Sequence, residues 1–300
     1  PQGMQGSHES HSGVQVINCL NIGANDMQNL AITTKRNGRR VDTYNVEWHE
    51  LETWMNAKRI QKHMTSSDKK DSSGWTGSKS LQVSRDLMRD GWQAGVDMLE
   101  HGLTHEIDNS GVEQAEVWET APVGAFPIIP LYNAGVDEHM LLPSEEHDEP
   151  IVNMIVDVAC PAFVKSKAMM NRGIAIASLI NHIEQSGKRV RLQARWCTKQ
   201  NKFGYEFMIM VKDSHEHMDM SRVAFAIGNP SFSRRVCFKM LECVAHEHMG
   251  GYGSLLTGDD ASDVFYMKEI NHHDRFKYNN AQDANEYIRK QWEKVLEKDV

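Results

Sequence analysis

The stretch from Ile151 to Val211 constrains the fold more than any other part of the chain. It opens with IVNMIVDV, Ile151 to Val158, six apolar residues in eight and the length of a buried strand. Lys165 to Ser186 follows with Met169, Met170, Ile174, Ile176, Leu179, Ile180 and Ile183 on helical spacing, and Gly187 ends it. Val190 to Trp196 then alternates as a strand, and Tyr205 to Val211 reads as a second. The asparagine and glycine between Asn201 and Gly204 mark a hairpin turn. Strands alternating with a long helix imply an α/β sheet layer, with α+β as the alternative class.

The flanks are less regular. Residues 1–13 are polar and Gly/Ser-rich and read as a tail. Between Val41 and Ile60 the residues Val46, Leu51, Trp54, Met55 and Ile60 fall near helical spacing, so a short helix is expected there. From Leu81 to Leu99 the apolar residues recur every three to four positions, which predicts a helix pair or one bent helix, with Gly91 as a C-cap and Trp92 as a core anchor. The stretch from Val112 to Ile129 runs into APVGAFPIIP, Ala121 to Pro130, which holds three prolines and should be extended and irregular. PSEEHDEP, Pro143 to Pro150, is the linker candidate. Ser221 to Ile227 fits a strand or short helix, Leu255 to Tyr266 is ambiguous, and Ser231 to His248 and Ala281 to Lys298 read as helices. The expected division is a tail over 1–34, a mostly helical and irregular region over 35–149, and an α/β domain with a terminal helix over 150–300.

The formal net charge of −8 conceals a segregated chain. Asp90 to Val164 carries fifteen acidic residues and no Lys or Arg, Lys165 to Lys202 carries nine basic residues against Glu184 alone, and Lys35 to Arg89 carries twelve against seven. A uniformly basic nucleic-acid coat is therefore excluded, while a local basic site is not. The longest apolar runs fall far short of the roughly 18 residues that span a bilayer, and no leader pattern precedes them, so a soluble protein is expected. Five cysteines, Cys19, Cys160, Cys197, Cys237 and Cys243, form no C-x-x-C pair and are expected to be free thiols in a reducing compartment.

A buried strand ending in aspartate, a loop of small residues, a long helix and a strand after glycine resemble the opening of a von Willebrand factor A domain. In that family an Asp-x-Ser-x-Ser loop holds a divalent metal through oxygen ligands. Here the loop reads Asp157-Val158-Ala159-Cys160-Pro161, with Ala159 and Pro161 at the serine positions. The resemblance therefore implies a degenerate von Willebrand A-like sheet whose metal chemistry is absent or altered. Separately, the tract from Trp75 to Gly95, with its spaced Trp and Gly residues, resembles one found in uncharacterised tailed-phage accessory proteins. That likeness implies the cytoplasm of an infected bacterial host as the setting.

Motifs for catalysis are scarce. There is no Gly-x-Ser-x-Gly and no P-loop, and Gly250-Gly251-Tyr252-Gly253 lacks the lysine. Cys160, at a strand end facing the usual crevice of an α/β sheet, reads foremost as a packed thiol. Fifteen histidines include the pairs His215/His217, His246/His248 and His272/His273. Beside Asp157, the residues His215, His217, His246 and His248 are the candidate metal ligands, but none of the pairs has the i, i+4 spacing that puts two rings on one helix face.

The segment GKRVRLQARWCTKQNKFGYEF, Gly187 to Phe207, holds cations with aromatics interleaved. Lys188, Arg189, Arg191, Arg195, Trp196, Lys199, Lys202, Phe203 and Tyr205 are the candidate nucleic-acid-binding residues. Cations that follow phosphates, and aromatics on which bases stack, are the ingredients of a single-strand site. Alternation would place Arg189, Arg191 and Arg195 on one face. Arg234, Arg235 and Lys239 are candidates to extend the patch. An edge hairpin whose charges discourage aggregation is the alternative.

The reading that follows is a non-catalytic phage accessory protein acting as a macromolecular interaction module, with another phage or host protein as partner, no membrane and no cofactor. The alternatives are a single-stranded DNA-binding protein that assists phage transcription or replication, and a metal-dependent hydrolase built on the histidines.

Overall fold

The computed structural model describes residues 30–60, 65–69, 73–103, 120–121, 126–127, 133, 140–141, 150–246, 252, 264–271 and 273–296. Nine strands are described among them. β1 (Ile32–Arg36) and β2 (Arg39–Glu47) form a hairpin, β3 (Thr120–Ala121), β4 (Phe126–Pro127) and β5 (Met140–Leu141) a small sheet of their own, and β6 (Ile151–Asp157), β7 (Arg189–Gln200), β8 (Phe203–Lys212) and β9 (Phe265–Met267) complete the main sheet. The main sheet runs β1-β2-β8-β7-β6-β9. β6 lies parallel to both β7 and β9, β7 and β8 are antiparallel, and β2 lies parallel to β8.

The helices in chain order are α1 (Leu51–Asn56), α2 (Ser73–Thr76), α3 (Leu81–Asp90), α4 (Gln93–Leu103), α5 (Ser166–Gln185), α6 (Met220–Gly228), α7 (Cys237–Val244) and α8 (Ala281–Leu296), with a π-helical turn, Phe232–Val236, leading into α7. Mixed α/β architecture, the strand–helix–strand unit and both strands of the 187–207 hairpin agree with the sequence expectations. The same holds for the α3–α4 pair, where Gly91 takes φ 88° at the C-cap and Trp92 is buried.

The segment after Val41 differs from expectation. It forms a strand through Glu47, turns through a 3-10 helix at Trp48–Glu50 and becomes α-helical only at Leu51, because Tyr44 and Val46 alternate inward as part of the sheet. The hairpin over 32–47 thus enters the same sheet as residues 151–212, and the region before Asp90 shares its core with the C-terminal half. Ser221 to Ile227 is helical, α6. The tail, the linker candidate from Pro143 to Glu149, and most of the Val112–Ile129 and Leu255–Tyr266 stretches lie outside the described residues, as does most of the acidic segment.

The two faces of the main sheet differ. One carries Tyr44, Val46, Met154, Val156, Leu192, Ala194, Trp196, Phe207 and Ile209, all buried. Helices cover it: Trp54 of α1 meets Tyr44 and Phe207 edge-on, Phe238 of α7 meets Trp196, and Trp292 of α8 meets Phe265. Such pairs add to the area term, which is about 25 cal/mol per Å² of apolar surface removed from water. α5 and α6 cross so closely that a Cβ on Gly173 would sit 2.1 Å from the Cα of Gly228. The opposite face carries the buried Asp157, Arg195 and Glu206.

Candidate nucleic-acid interface

Two hairpins end side by side. In the first, Asn37 and Gly38 both take positive φ, 49° and 74°, as a tight two-residue turn requires. In the second, Asn201 takes φ 50°. The parallel pairing of β2 with β8 starts at Arg40 opposite Phe203, so the two tips touch. The Arg40 amide donates to the Lys202 carbonyl at 2.9 Å, and Arg39 Nε donates to the Asn201 carbonyl at 3.0 Å.

This rim gathers Lys35, Arg36, Arg39 and Arg40 from the first hairpin with Lys199 and Lys202 from the second. Strand alternation puts Arg36, Arg39 and Lys199 on the polar face, Lys35, Arg40 and Phe203 on the helix-covered face, and Lys202 at the turn. Arg36 is tied to Glu206 at 3.1 Å and Arg40 to the buried Asp42 at 2.9 Å. Among the described residues no carboxylate pairs with Lys35, Arg39, Lys199 or Lys202. Phe203 is half-buried beside the His246 ring, with centroids 6.4 Å apart, and the His246 amide donates to the Tyr205 hydroxyl.

The nine residues expected to form a single basic patch divide into three sets. Lys188, Arg189 and Arg191 lie at the start of β7, and Lys199, Lys202 and Phe203 at its other end. Eight residues at about 3.3 Å each separate Arg191 from Lys199 by about 26 Å. Arg195, Trp196 and Tyr205, between them, are buried at 3%, 1% and 0% exposure and do not reach the surface. Arg189, Arg191 and Arg195 do share one face, but the sheet encloses the third.

Arg195 is the strut of a buried ion network. Its guanidinium donates to Asp157 at 2.8 Å, to Glu206 at 2.7 Å and to the Tyr266 hydroxyl at 2.7 Å. Register explains the geometry: Asp157 stands directly opposite Arg195, and Glu206 stands opposite Cys197 and Thr43, on the same face. Burial raises the Asp157 pKa to about 6 despite the neighbouring Arg195. Burial also raises Glu206, but the charge and hydrogen bond of Arg195, with Thr43 and Arg36, outweigh it and hold that carboxyl below its ordinary value. The other Asp157 oxygen accepts the Ala159 amide at 3.0 Å. The carboxylate that would hold a metal in the Asp-x-Ser-x-Ser arrangement is thus engaged by protein donors.

Beyond the C-terminal ends of β6 and β9 a small cavity is lined by Ala159, Cys160, Arg172, Asn229 and Ser233 among others. The Arg172 guanidinium, 3% exposed, donates to the carbonyls of Asp157, Met267 and Lys268. Arg234 and Arg235, the candidates to extend the basic patch, are buried as well. Arg234 donates to the Trp75 and Val164 carbonyls and lies over the Trp75 ring, and Arg235 donates to the carbonyls of Ser67, Lys69 and Ser78. Lys239 donates to the Ala57 carbonyl. These cations tie distant loops to the π turn and α7.

The candidate metal ligands are dispersed. His215 and His217 are exposed in the β8–α6 loop, His246 lies 3.8 Å from Asp42, and His248 falls outside the described residues. Among the described residues no group of three His, Cys, Asp or Glu side chains is placed to hold a metal, and no helix is long and apolar enough to cross a membrane.

A family model described as a domain of unknown function (DUF7192) matches residues 25–295. The chain belongs to that family. No curated protein and no solved structure matches it. The DUF7192 match takes in both hairpins, the buried ion network and the terminal helix, so the rim is built wholly from residues of the family domain.

Reasoning from sequence missed half of the rim. Lys35, Arg36, Arg39 and Arg40 stand just before the Val41–Ile60 segment, in the 35–149 region expected to be mostly helical and irregular. The signal that could have found them is Asn37-Gly38, the residue pair most favoured in two-residue hairpin turns.

Proposed function

We propose that the chain is a non-catalytic macromolecular interaction module, built on a von Willebrand A-like sheet whose metal loop is replaced by an internal ion pair. The observation that carries this reading is the Asp157 carboxylate, held by Arg195, Tyr266 and the Ala159 amide. The parallel β6–β7 pair joined through α5 is the arrangement that the resemblance implies. The resemblance of Trp75 to Gly95 to tailed-phage proteins supports an infected bacterial cell as the setting.

The test compares the hydrodynamic size of the full chain in an infected-cell lysate with that of the purified chain. An interaction module should elute from the lysate as a larger, stoichiometric complex. Elution at the same position as the purified protein in both samples would refute the reading.

A further inference from the structure

We infer that the adjoining tips of the β1–β2 and β7–β8 hairpins form one composite site for the phosphate backbone of single-stranded nucleic acid, with Lys35, Arg39, Lys199 and Lys202 as its cations. This names a partner for the interaction module proposed above and rests on that reading. The argument begins from preorganisation. The two tips are joined by a main-chain hydrogen bond from Arg40 to Lys202 and by the Arg39 side chain on the Asn201 carbonyl. The sheet therefore fixes where the cations stand before any ligand arrives.

Charge accounting over the rim points the same way. Asp42 is engaged by Arg40 and Thr33, and Glu206 by Arg195, Arg36 and Thr43. Both carboxylates are buried. They offset Arg36 and Arg40 and leave four cations with no carboxylate partner among the described residues. Four strands spaced about 4.8 Å apart make the rim about 14 Å wide, a short track rather than a broad plate. Such a track suits a backbone that passes across it.

Aromatic placement favours a single strand over a duplex. Phe203 stands on the rim, half-buried and next to the His246 ring. An aromatic ring on the face of Lys35 and next in the chain to Lys202 can stack an unpaired base, whereas a duplex keeps its bases stacked on one another. The rim is also separate from Lys188, Arg189 and Arg191, about 26 Å down the strand.

The experiment is fluorescence anisotropy with labelled oligodeoxythymidine and the full chain over a salt series. Four phosphate contacts predict a slope of log K against log[salt] of about −3. Lys199→Gln with Lys202→Gln should weaken binding at least about tenfold at low salt and halve the slope, to about −1.4. Phe203→Leu, which keeps an apolar side chain, should weaken binding about fivefold. Arg191→Gln should leave it unchanged. Each variant is accompanied by a melting curve, and unchanged melting removes misfolding as the cause of any loss. The inference is overturned if no salt-dependent binding is seen, if the Lys199/Lys202 variant binds as the parent does, if Arg191→Gln costs as much, or if duplex of equal length or polyaspartate competes equally well. A chain that forms a nuclease-resistant complex in lysate yet ignores the oligonucleotide would refute this site and leave the interaction-module reading standing.

Discussion

Replacing Arg195 with leucine separates an internal strut from a surface contact. In the folded chain this guanidinium bridges two buried carboxylates, Asp157 and Glu206, and also donates to Tyr266. Glu206 would keep Arg36 and Thr43, whereas among the described residues Asp157 would keep hydrogen bonds from the Ala159 amide, Tyr266 and Cys197 but no ion pair. Breaking a buried pair from one side costs about 3–5 kcal/mol, because the remaining charge is left desolvated. That is a large share of the roughly 5–15 kcal/mol that holds a domain together.

The pH dependence follows from Asp157. Burial already raises its pKa to about 6 with Arg195 present, and loss of the cation moves it higher. Between these two values the folded variant holds a proton that the folded parent lacks, so the variant gains stability relative to the parent as pH falls through that window. Below about 6 both carry the proton, and the gap levels off. Urea unfolding at pH 8 and pH 5.5, followed by tryptophan fluorescence, measures both values. A deficit under about 1 kcal/mol at pH 8, or a gap that widens toward acid, would refute this account of the network.

Three further outcomes are expected. Gly173→Ala should lower stability by about 1–3 kcal/mol, since the new methyl meets the Gly228 backbone, whereas Gly74→Ala, with open space around it, should shift the urea midpoint little. Gly38→Val should lower the melting temperature, because φ of 74° costs a branched residue on the order of 1–2 kcal/mol, and should weaken oligonucleotide binding by loosening one tip. Burial raises the thiol pKa of Cys160, Cys237 and Cys243 alike, but Cys160 is half-buried while the other two are enclosed, so iodoacetamide followed by peptide mapping should modify Cys160 before either; labelling of all three at one rate in the native chain would contradict this packing.

What sequence made legible, and what it did not, follows from the range of the interactions. The β6–α5–β7–β8 unit could be read because each element carries its own pattern: a continuous apolar run, a helical stripe closed by Gly187, and a hairpin turn at Asn201. The region from Val41 to Ile60 misled because β2 and α1 lie end to end. Val46 and Leu51 belong to different elements, yet their spacing mimics one helix. The site was less legible than the fold. An arginine in an alternating strand reads as exposed until its partners are known, and those of Arg195 lie on two other strands, at Asp157 and Glu206. Arg234 and Arg235 find their acceptors at Ser67, Trp75 and Val164, which only the tertiary fold brings near.

The pairing of β2 with β8 also sets an order of events in time. Residues 40–47 are made more than 150 positions ahead of their partners, residues 203–210. During that interval the first hairpin is only a two-stranded ribbon, marginal by itself in water. Contacts of such long range slow folding, and the edge of β2 stays open to wrong partners until β8 arrives. A nascent or truncated chain that ends before Phe203 would carry Lys35 and Arg39 but no rim, so the proposed site can form only after β8 has been made and has paired with β2.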